Sequence, residues 1–367
     1  MIKEPKTNRL HFIDAMRAWA ILMMLQGHFV SALLSEQYQD QGNLFYSIWS
    51  YFRGVTAPVF FTVSGFIFTF LLIRKYDQGF SNPRVKKGIT RGFQLIAIGY
   101  ILQIRFARVI KGTINDTYDI VHVLQCLGLS IIVVVLLYLL SFRFKKQVFA
   151  THLCTVTVLL FVFKTTYEQW DYSFMPEFFS NYFTKMNGSV FTIMPWFGFT
   201  SFGGFMAVVF ATNQAKNLFY RKAILTTMLL GSVLITTSYE ISNGLYELSG
   251  SQLLEDAVQS SYLFARLGAV LCVFSFFMFF RNYLKSMVLL RVGQLTLAIY
   301  IVHAIVLYNS ITGYGLSRFY YHSLPPMPVI LGAISFVVLI SVVVLLIDKK
   351  MKELNFNQQI RNLHGKK

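Results

Sequence analysis

The sequence predicts an all-α fold, a polytopic integral membrane protein with about ten transmembrane helices and both termini in the cytoplasm. Of its 367 residues, 55% are hydrophobic and only 13% are charged, and the mean hydropathy is +0.54. Apolar stretches of spanning length recur along the chain, and the segments between them alternate in their content of Lys and Arg. We therefore expect a single transmembrane domain over residues 1–367 rather than a soluble domain with a large core.

Ten stretches have the length and apolar character that a helix needs to cross the hydrocarbon region of a bilayer. They cover residues 12–34, 54–73, 90–107, 119–140, 147–163, 190–212, 222–239, 261–280, 292–309 and 327–347. The chain shows no internal repeat and no low-complexity tract. One domain is therefore sufficient to account for the whole sequence.

The distribution of Lys and Arg predicts the orientation in the membrane. Segments 1–11, 74–91, 141–147, 213–222, 281–291 and 348–367 contain 24 of these residues. Segments 35–53, 105–118, 164–189, 240–260 and 310–326 contain six apart from Arg53. Positive residues favour the cytoplasmic side, so both termini and a basic tail at 348–367 are expected inside. We expect the bacterial inner (plasma) membrane as the location.

The net charge of +17 does not indicate nucleic acid as a partner, because the basic residues form short clusters between apolar stretches. The three cysteines, Cys126, Cys154 and Cys272, all lie within apolar stretches. A thiol in such surroundings behaves as a small apolar side chain. We expect no disulfide and no metal site.

The first apolar stretch contains ionisable residues that are costly at membrane depth. Arg17 and His28 are eleven residues apart, which is about three helical turns, so they lie within roughly 20° of each other and roughly 16 Å apart along the axis. Asp14 lies on the same face. A charged group in a membrane helix costs about 2.5–3.5 kcal/mol on insertion scales, and such residues usually serve a function.

Further ionisable residues are predicted near the depth of His28, in the outer half of the membrane. Arg53 is expected to open the second helix from the outer side, and His303 is expected in the outer half of the ninth. Asp119 and His122 are expected to open the fourth helix, one above the other at i,i+3. A lone histidine in an apolar helix is more often structural, but five ionisable groups at one depth indicate a polar cavity.

Two other segments each have two interpretations. The outer loop near 164–189 is rich in aromatic residues, which form either an interfacial belt or a lid that stacks on sugar rings. Its aromatic residues are Trp170, Tyr172, Phe174, Phe178, Phe179, Tyr182 and Phe183. The glycine-rich segment 198–204 lacks a phosphate-loop pattern and favours close helix packing. The basic segment 84–91 either sets orientation or binds a polyanion.

The residues of the first stretch suggest a chemistry. A neutral imidazole is well suited to accept a proton near neutral pH. Coenzyme A fits the separation of Arg17 and His28, because its phosphates need a cationic group and its extended arm can carry a thioester along one helix face. A coenzyme A thioester is therefore a candidate donor.

Four sequence motifs resemble the transmembrane acyltransferase superfamily. The Arg17-x10-His28 pattern is similar to the signature of acyltransferase family three. Ile13-Asp14-Ala15-Met16-Arg17, followed by Phe52-Arg53-Gly54-Val55-Thr56-Ala57-Pro58, resembles the heparan-alpha-glucosaminide N-acetyltransferase-like branch. Tyr118 to Gln125 and Thr296 to His303 extend the similarity over most of the chain. The sequence departs from the family at Ala18, where glycine is common after the Arg.

The resemblance implies transfer of an acyl group, usually acetyl, from cytoplasmic acyl-CoA to a hydroxyl or amine of a glycan or amino sugar across the membrane. It implies that His28 is catalytic and that Arg17 lies on the donor side. The predicted catalytic residues are His28, Asp119 and His122. The predicted binding residues are Arg17 and Asp14 for the donor and Arg53 and His303 for the acceptor.

Other functional classes remain open from the sequence. A secondary transporter or flippase also carries charged residues inside helices, although the chain shows no repeat symmetry and no matched pair of interrupted helices. A non-catalytic interaction protein would not need the polar residues at the outer side. Whether the acyl group passes directly to the acceptor or rests on His28 is left open, and His28 is favoured as a general base.

Overall fold

The computed structural model describes residues 10–113 and 118–364. Within these residues the regular structure is helical, and the only strand-like feature is an isolated bridge between Leu34 and Leu324. The α-helices are α1 (His11–Leu33), α2 (Leu44–Leu72), α3 (Pro83–Ile101), α4 (Phe106–Ile110), α5 (Val123–Ser141), α6 (Lys146–Val162), α7 (Lys164–Glu168), α8 (Glu177–Ser180), α9 (Ile193–Asn213), α10 (Phe219–Ser249), α11 (Gln252–Ser260), α12 (Tyr262–Phe279), α13 (Met287–Gln294), α14 (Thr296–Leu307), α15 (Leu316–Tyr320) and α16 (Pro326–His364). The all-α prediction is thus confirmed.

Each of the ten predicted apolar stretches overlaps a helix or, at 292–309, the pair α13 and α14, although the stretch at 90–107 runs past the end of α3 at Ile101. Six helical segments among the described residues are long and apolar enough to cross a membrane, or seven if that bent pair counts as one span. They are Leu44–Ser81, Val123–Ser141, Ile193–Asn213, Phe219–Ser249, Tyr262–Asn282 and Pro326–Asn355. The protein is therefore an integral membrane protein, while ten spans and cytoplasmic termini stay predictions.

The helices outside this set are either shorter or contain more polar residues. Helix α6 has only 17 residues. Helix α1 has 23 residues, but polar side chains such as Arg17 and His28 lower its hydropathy. Helix α3 begins with a basic turn that contains Arg84, Lys86 and Lys87. These helices need cover from other parts of the protein to lie in a bilayer.

The chain forms two compact units. The first unit contains the described residues up to 53 and from 284 onward, and the second contains residues 54–283. Helix α2 contributes to both. The prediction of one domain over 1–367 concerns the functional unit and stays a prediction.

The first unit joins the two ends of the chain around α1. Its core includes Ile21, Leu25 and Phe29 of α1 together with Ile299 of α14 and Phe336 of α16. These are large apolar side chains at helical spacing, so their burial stabilises the packing of α1 against both later helices.

Backbone bonds close the end of α1. The amide of Ser35 donates to the carbonyl of Leu324 at 2.9 Å, and the amide of Leu324 donates to the carbonyl of Leu33 at 2.9 Å. His322 lies beside this pairing, with Nδ1 3.0 Å from Glu36 Oε1 and Nε2 3.0 Å from the carbonyl oxygen of Ser31. The segment before α16 is thereby fixed to the C-terminal end of α1.

The second unit relies on close helix contacts. A β-carbon at Gly203 would lie 1.9 Å from the carbonyl oxygen of Thr62, so only glycine permits this approach of α9 to α2. Leu153 and Phe161 of α6, both fully buried, lie against the same glycine-rich segment of α9. This geometry supports the packing interpretation of segment 198–204.

Candidate active site

Helix α1 carries the first group of predicted site residues. It is continuous from His11 to Leu33, so Arg17 and His28 lie on one face, roughly 16 Å apart along the axis. Asp14 is 6% exposed, whereas Arg17 and His28 are half-buried. The column of carboxylate, guanidinium and imidazole that the spacing predicts is therefore present on this helix.

Arg17 reaches the beginning of α14. Its Nη2 donates to Oγ1 of Thr296 at 3.0 Å, and its Nη1 lies 4.0 Å from Oδ1 of Asp14. Thr296 is the first residue of α14, and the first turn of a helix exposes amide N–H groups with a partial positive charge. The guanidinium thus lies beside this helix end, and the Asp14 carboxylate offsets part of its positive charge.

A break in the ninth predicted helix makes this contact possible. Helices α13 and α14 meet at Leu295 with a bend of 72°. On the near side of the break, a β-carbon at Gly293 would lie 1.9 Å from the carbonyl oxygen of Asp14. Because Gly293 has no side chain, α13 approaches the α1 backbone closely and α14 then begins beside Arg17.

At the other end of the column, His28 contacts His303 of α14. Nδ1 of His28 lies 3.2 Å from Nε2 of His303, and the two ring centroids are 5.3 Å apart. His303 is only 1% exposed, in contrast to the half-buried His28. When both rings are neutral, one of the facing nitrogens donates a hydrogen bond and the other accepts it.

Two tyrosines surround the histidine pair. The ring of Tyr308 lies 5.5 Å from that of His28 and 6.2 Å from that of His303, both edge-on. The ring of Tyr300 lies 4.9 Å from that of His303. The sequence analysis missed Tyr308, whose only signal is its position just past α14, five residues after His303.

The prediction that Arg53 opens the second helix is wrong, because α2 begins at Leu44. The side chain of Asn43 caps this start, with Oδ1 accepting from the amides of Phe45 at 3.0 Å and Tyr46 at 3.2 Å. Arg53 thus lies well inside the helix rather than at its end.

Arg53 nevertheless lies next to the histidine pair. Its Nη1 donates to Oγ of Ser31, one turn after His28. A β-carbon at Gly27 would be 3.1 Å from Cγ of Arg53, so the stem of the arginine crosses α1 beside His28. The guanidinium lies 5.6 Å from the centroid of Trp49, which adds a cation–π contact.

Asp119 and His122 belong to the second unit, and their predicted placement on the fourth helix is wrong. Helix α5 begins only at Val123. Before it, Val121 is held by loop residues: its amide donates to Ser189 Oγ at 3.1 Å, and its carbonyl accepts from the amide of Val190 at 3.1 Å. These bonds hold the backbone extended, so Asp119 and His122 are not stacked one turn apart.

His122 is the residue immediately before α5. Burial lowers the pKa of its imidazole. A histidine with a lowered pKa remains neutral at pH 7 and can accept or donate one hydrogen bond.

The Asp119 carboxylate anchors the aromatic loop. Nδ2 of Asn181 donates to Oδ2 of Asp119 at 3.0 Å, and Nδ2 of Asn187 donates to Oδ1 of Asn181 at 2.9 Å. Asn181 is fully buried. The sequence analysis missed this asparagine, which lies among aromatic residues with no spacing signal.

The aromatic loop has a buried side and an exposed side. Tyr172 and Tyr182 are buried, and the hydroxyl of Tyr182 lies 3.0 Å from that of Tyr100 on α3. The exposed members of the loop are Trp170, Phe174, Phe178 and Phe179. An interfacial belt and a sugar-stacking lid both agree with this division.

Asp14, Arg17, His28, Arg53 and His303 all lie in the first unit, and Asp119 and His122 lie in the second. A shared depth for the five outer groups stays a prediction. Over residues 10–113 and 118–364, no group of three His, Cys, Asp or Glu side chains is arranged to hold a metal ion.

The sequence model of the family "Heparan-alpha-glucosaminide N-acetyltransferase, catalytic" matches residues 9–237. This range includes α1 and the residues Arg53, Asp119 and His122, and it ends before α14. The comparison with curated proteins finds no match.

Proposed function

Because the chain belongs to the heparan-alpha-glucosaminide N-acetyltransferase catalytic family, we propose that it transfers an acetyl group from cytoplasmic acetyl-CoA to an acceptor across the membrane. The expected acceptor is a hydroxyl or amine of a glycan or amino sugar. The observation that carries this proposal is the placement of Arg17 and His28 at two ends of one helix face, each in contact with α14.

His28 is the proposed general base. It is half-buried, and its contact with His303 uses Nδ1, so Nε2 is the nitrogen that can face a substrate. In the proposed step, Nε2 takes the proton of the acceptor hydroxyl or amine while the acceptor oxygen or nitrogen attacks the thioester carbonyl carbon. The carbon–sulfur bond breaks, and the coenzyme A thiolate leaves and takes the proton back from His28.

The donor side is proposed at Arg17. Its guanidinium and the N-terminal end of α14 offer positive charge to a phosphate group, and Asp14 holds the arginine in place. The separation of roughly 16 Å between Arg17 and His28 leaves room for an extended thioester arm along α1.

The acceptor side is proposed at Arg53, which crosses α1 beside His28 and is itself exposed. Asp119 and His122 are proposed as further catalytic residues that position the acceptor or orient a water molecule. The exposed aromatic residues of the loop at 164–189 are proposed to pack against sugar rings.

We propose the bacterial inner membrane as the location, with both termini in the cytoplasm. Reporter fusions test this topology directly. A reporter after residues 36–44 is expected outside and one after residues 83–87 inside, because of the Lys and Arg asymmetry. An inverted pair of signals would contradict a cytoplasmic donor site.

The activity is tested with purified protein in membranes or proteoliposomes. Labelled acetyl-CoA and a panel of amino sugars and polysaccharides are supplied, and transfer of the label is measured. Acetyl-CoA is expected to raise the melting temperature, while matched adenine nucleotides without the pantetheine arm raise it less. Absence of both transfer and stabilisation would overturn the proposal.

A secondary transporter or flippase is the second candidate, and one observation favours it. The break between α13 and α14 resembles the discontinuous helices that bind ions and substrates in transporters. Solute uptake into proteoliposomes without acetyl-CoA would support this alternative. Acetyl transfer that requires His28 would exclude it as the main function.

A further inference from the structure

The contact between His28 and His303 raises a question of proton placement. The facing atoms are Nδ1 of His28 and Nε2 of His303, 3.2 Å apart. In a neutral pair only one of these two nitrogens carries a proton. If it is Nδ1 of His28, then Nε2 of His28 has a lone pair and can act as a base. If the proton is instead on Nε2 of His303, then Nδ1 of His28 accepts it and Nε2 of His28 carries a proton of its own. His28 then has no lone pair at Nε2 and cannot act as a base there.

The role proposed for His28 requires the first arrangement. A base that accepts a proton at Nε2 carries its own proton on Nδ1, and the atom facing that proton must be an acceptor. Nε2 of His303 is the facing atom, at 3.2 Å. A neutral His303 then has its lone pair on Nε2 and its proton on Nδ1, which is buried.

We infer that His303 is a positioning residue that accepts a hydrogen bond from Nδ1–H of His28 and so keeps Nε2 of His28 ready to take a proton. This inference rests on the proposed function and deepens it. Since His303 is 1% exposed, it has almost no surface with which to contact an acceptor, and its effect on the reaction passes through His28. When His28 takes a proton at Nε2, its Nδ1–H remains bonded to His303.

A neutral histidine has a physical advantage over a carboxylate in this position. In soluble hydrolases a buried aspartate commonly orients the catalytic histidine. At membrane depth an isolated carboxylate is expensive to bury, whereas a neutral imidazole is not charged and still offers a hydrogen-bond acceptor. The apolar helix α14 can therefore carry the orienting group without a buried charge.

The test compares two substitutions of His303. In His303→Gln, the side-chain oxygen can reach the place of Nε2 and accept the bond, whereas His303→Leu fills similar space without an acceptor. We expect His303→Leu to lower kcat for acetyl transfer by about 100-fold with an unchanged KM for acetyl-CoA, because orientation of a general base acts on the transition state. His303→Gln is expected to restore most of the loss. His152→Gln, at an exposed histidine of α6, is the matched control and should behave as wild type.

A second variant pair and a spectroscopic readout separate positioning from folding. In a His28→Ala background, His303→Leu should cause no further loss, because His303 acts through His28. In ¹⁵N-histidine NMR spectra, wild-type His28 should carry its proton on Nδ1, and His303→Leu should shift it toward a mixture of tautomers.

Additive losses in the double variant, or an unchanged tautomer of His28 in His303→Leu, would overturn the inference. A wild-type protein without acetyl transfer would instead overturn the proposed function. The NMR spectra would then still decide whether His303 sets the tautomer of His28.

Discussion

Two polar clusters, one in each unit, use similar residue types in different ways. In the first unit, His28 meets His303 and lies beside the ring of Tyr308 and the stem of Arg53. In the second unit, Asp119 accepts a hydrogen bond from Asn181, which is itself held by Asn187. The first cluster contains a histidine in contact with a second histidine, and the second contains an acceptor held by a chain of amides.

The hydrogen-bond partners of a polar group buried in a membrane protein therefore indicate its role. A carboxylate whose bonds extend through buried amides fixes a loop, and its removal is expected to affect structure first. An imidazole with one nitrogen oriented and the other toward a half-buried face can take part in proton transfer. We therefore expect the main chemical step in the first unit and a supporting role for Asp119 in the second.

The largest expected effect belongs to His28→Ala. We expect it to lower kcat by about 100-fold to 10,000-fold, the range typical for loss of a general base, while acetyl-CoA still binds. Transfer rates and donor affinity are measured in membranes of equal expression. Near-normal transfer in His28→Ala together with loss in His122→Ala would reverse the comparison and place the base in the second unit.

The second-largest expected effect is on the affinity for the donor, acetyl-CoA. Arg17→Ala is expected to weaken acetyl-CoA binding by about tenfold, since a charge-assisted hydrogen bond is worth about 1.5–3 kcal/mol and part of it is already used by Asp14. Binding is followed by thermal stabilisation, and Arg318→Ala in the predicted outer loop serves as the control. Unchanged affinity would reduce Arg17 to a structural partner of Asp14 and Thr296.

A smaller effect is expected at Asp119, where two substitutions separate charge from anchoring. Asp119→Ala removes the acceptor for Asn181 and should destabilise the protein by about 1–3 kcal/mol, with faster proteolysis in the loop at 164–189. Asp119→Asn keeps an oxygen acceptor and should lower transfer by less than about tenfold. An Asn variant as inactive as His28→Ala would show that the carboxylate charge takes part in catalysis.

The smallest effect is expected at His322, a third histidine of the first unit. Both of its ring nitrogens face oxygen acceptors, Glu36 Oε1 and the carbonyl of Ser31, so neither is available to a substrate. Glu36 is largely exposed, and such ion pairs contribute about 0–1 kcal/mol. His322→Gln should therefore change kcat by less than about twofold in the same assay. A loss comparable to that of His303→Leu would extend the catalytic cluster to this end of α1.

Features that depend on spacing within one helix were predictable from the sequence. The helical period alone places Arg17 and His28 on one face, and α1 is continuous over that range. Hydropathy located every long helix, because apolar stretches of this length have few other stable forms in a membrane. The close packing at Gly203 followed from a run of small residues.

Features that depend on contacts between distant segments were not predictable. His28 and His303 are 275 positions apart, and their direct bond has no local signal. The start of α5 was placed too early because hydrogen bonds with Ser189 and Val190, distant in the sequence, hold Val121 outside the helix. The start of α2 was placed too late because aromatic and polar residues from Leu44 onward resemble a loop unless the cap at Asn43 is recognised.

The composition of the first unit has a consequence for biosynthesis. Helix α1 leaves the ribosome before α13 and α14, which cover Asp14 and contact Arg17, and Thr296 follows Arg17 only 279 residues later. Until then the polar face of α1 must be shielded by the insertion machinery, because its charged residues are costly in lipid. A truncated chain that ends before α13 is therefore expected to hold α1 poorly in the bilayer and to become a substrate for membrane proteases. Co-expression of residues 284–367 as a separate fragment should then protect it.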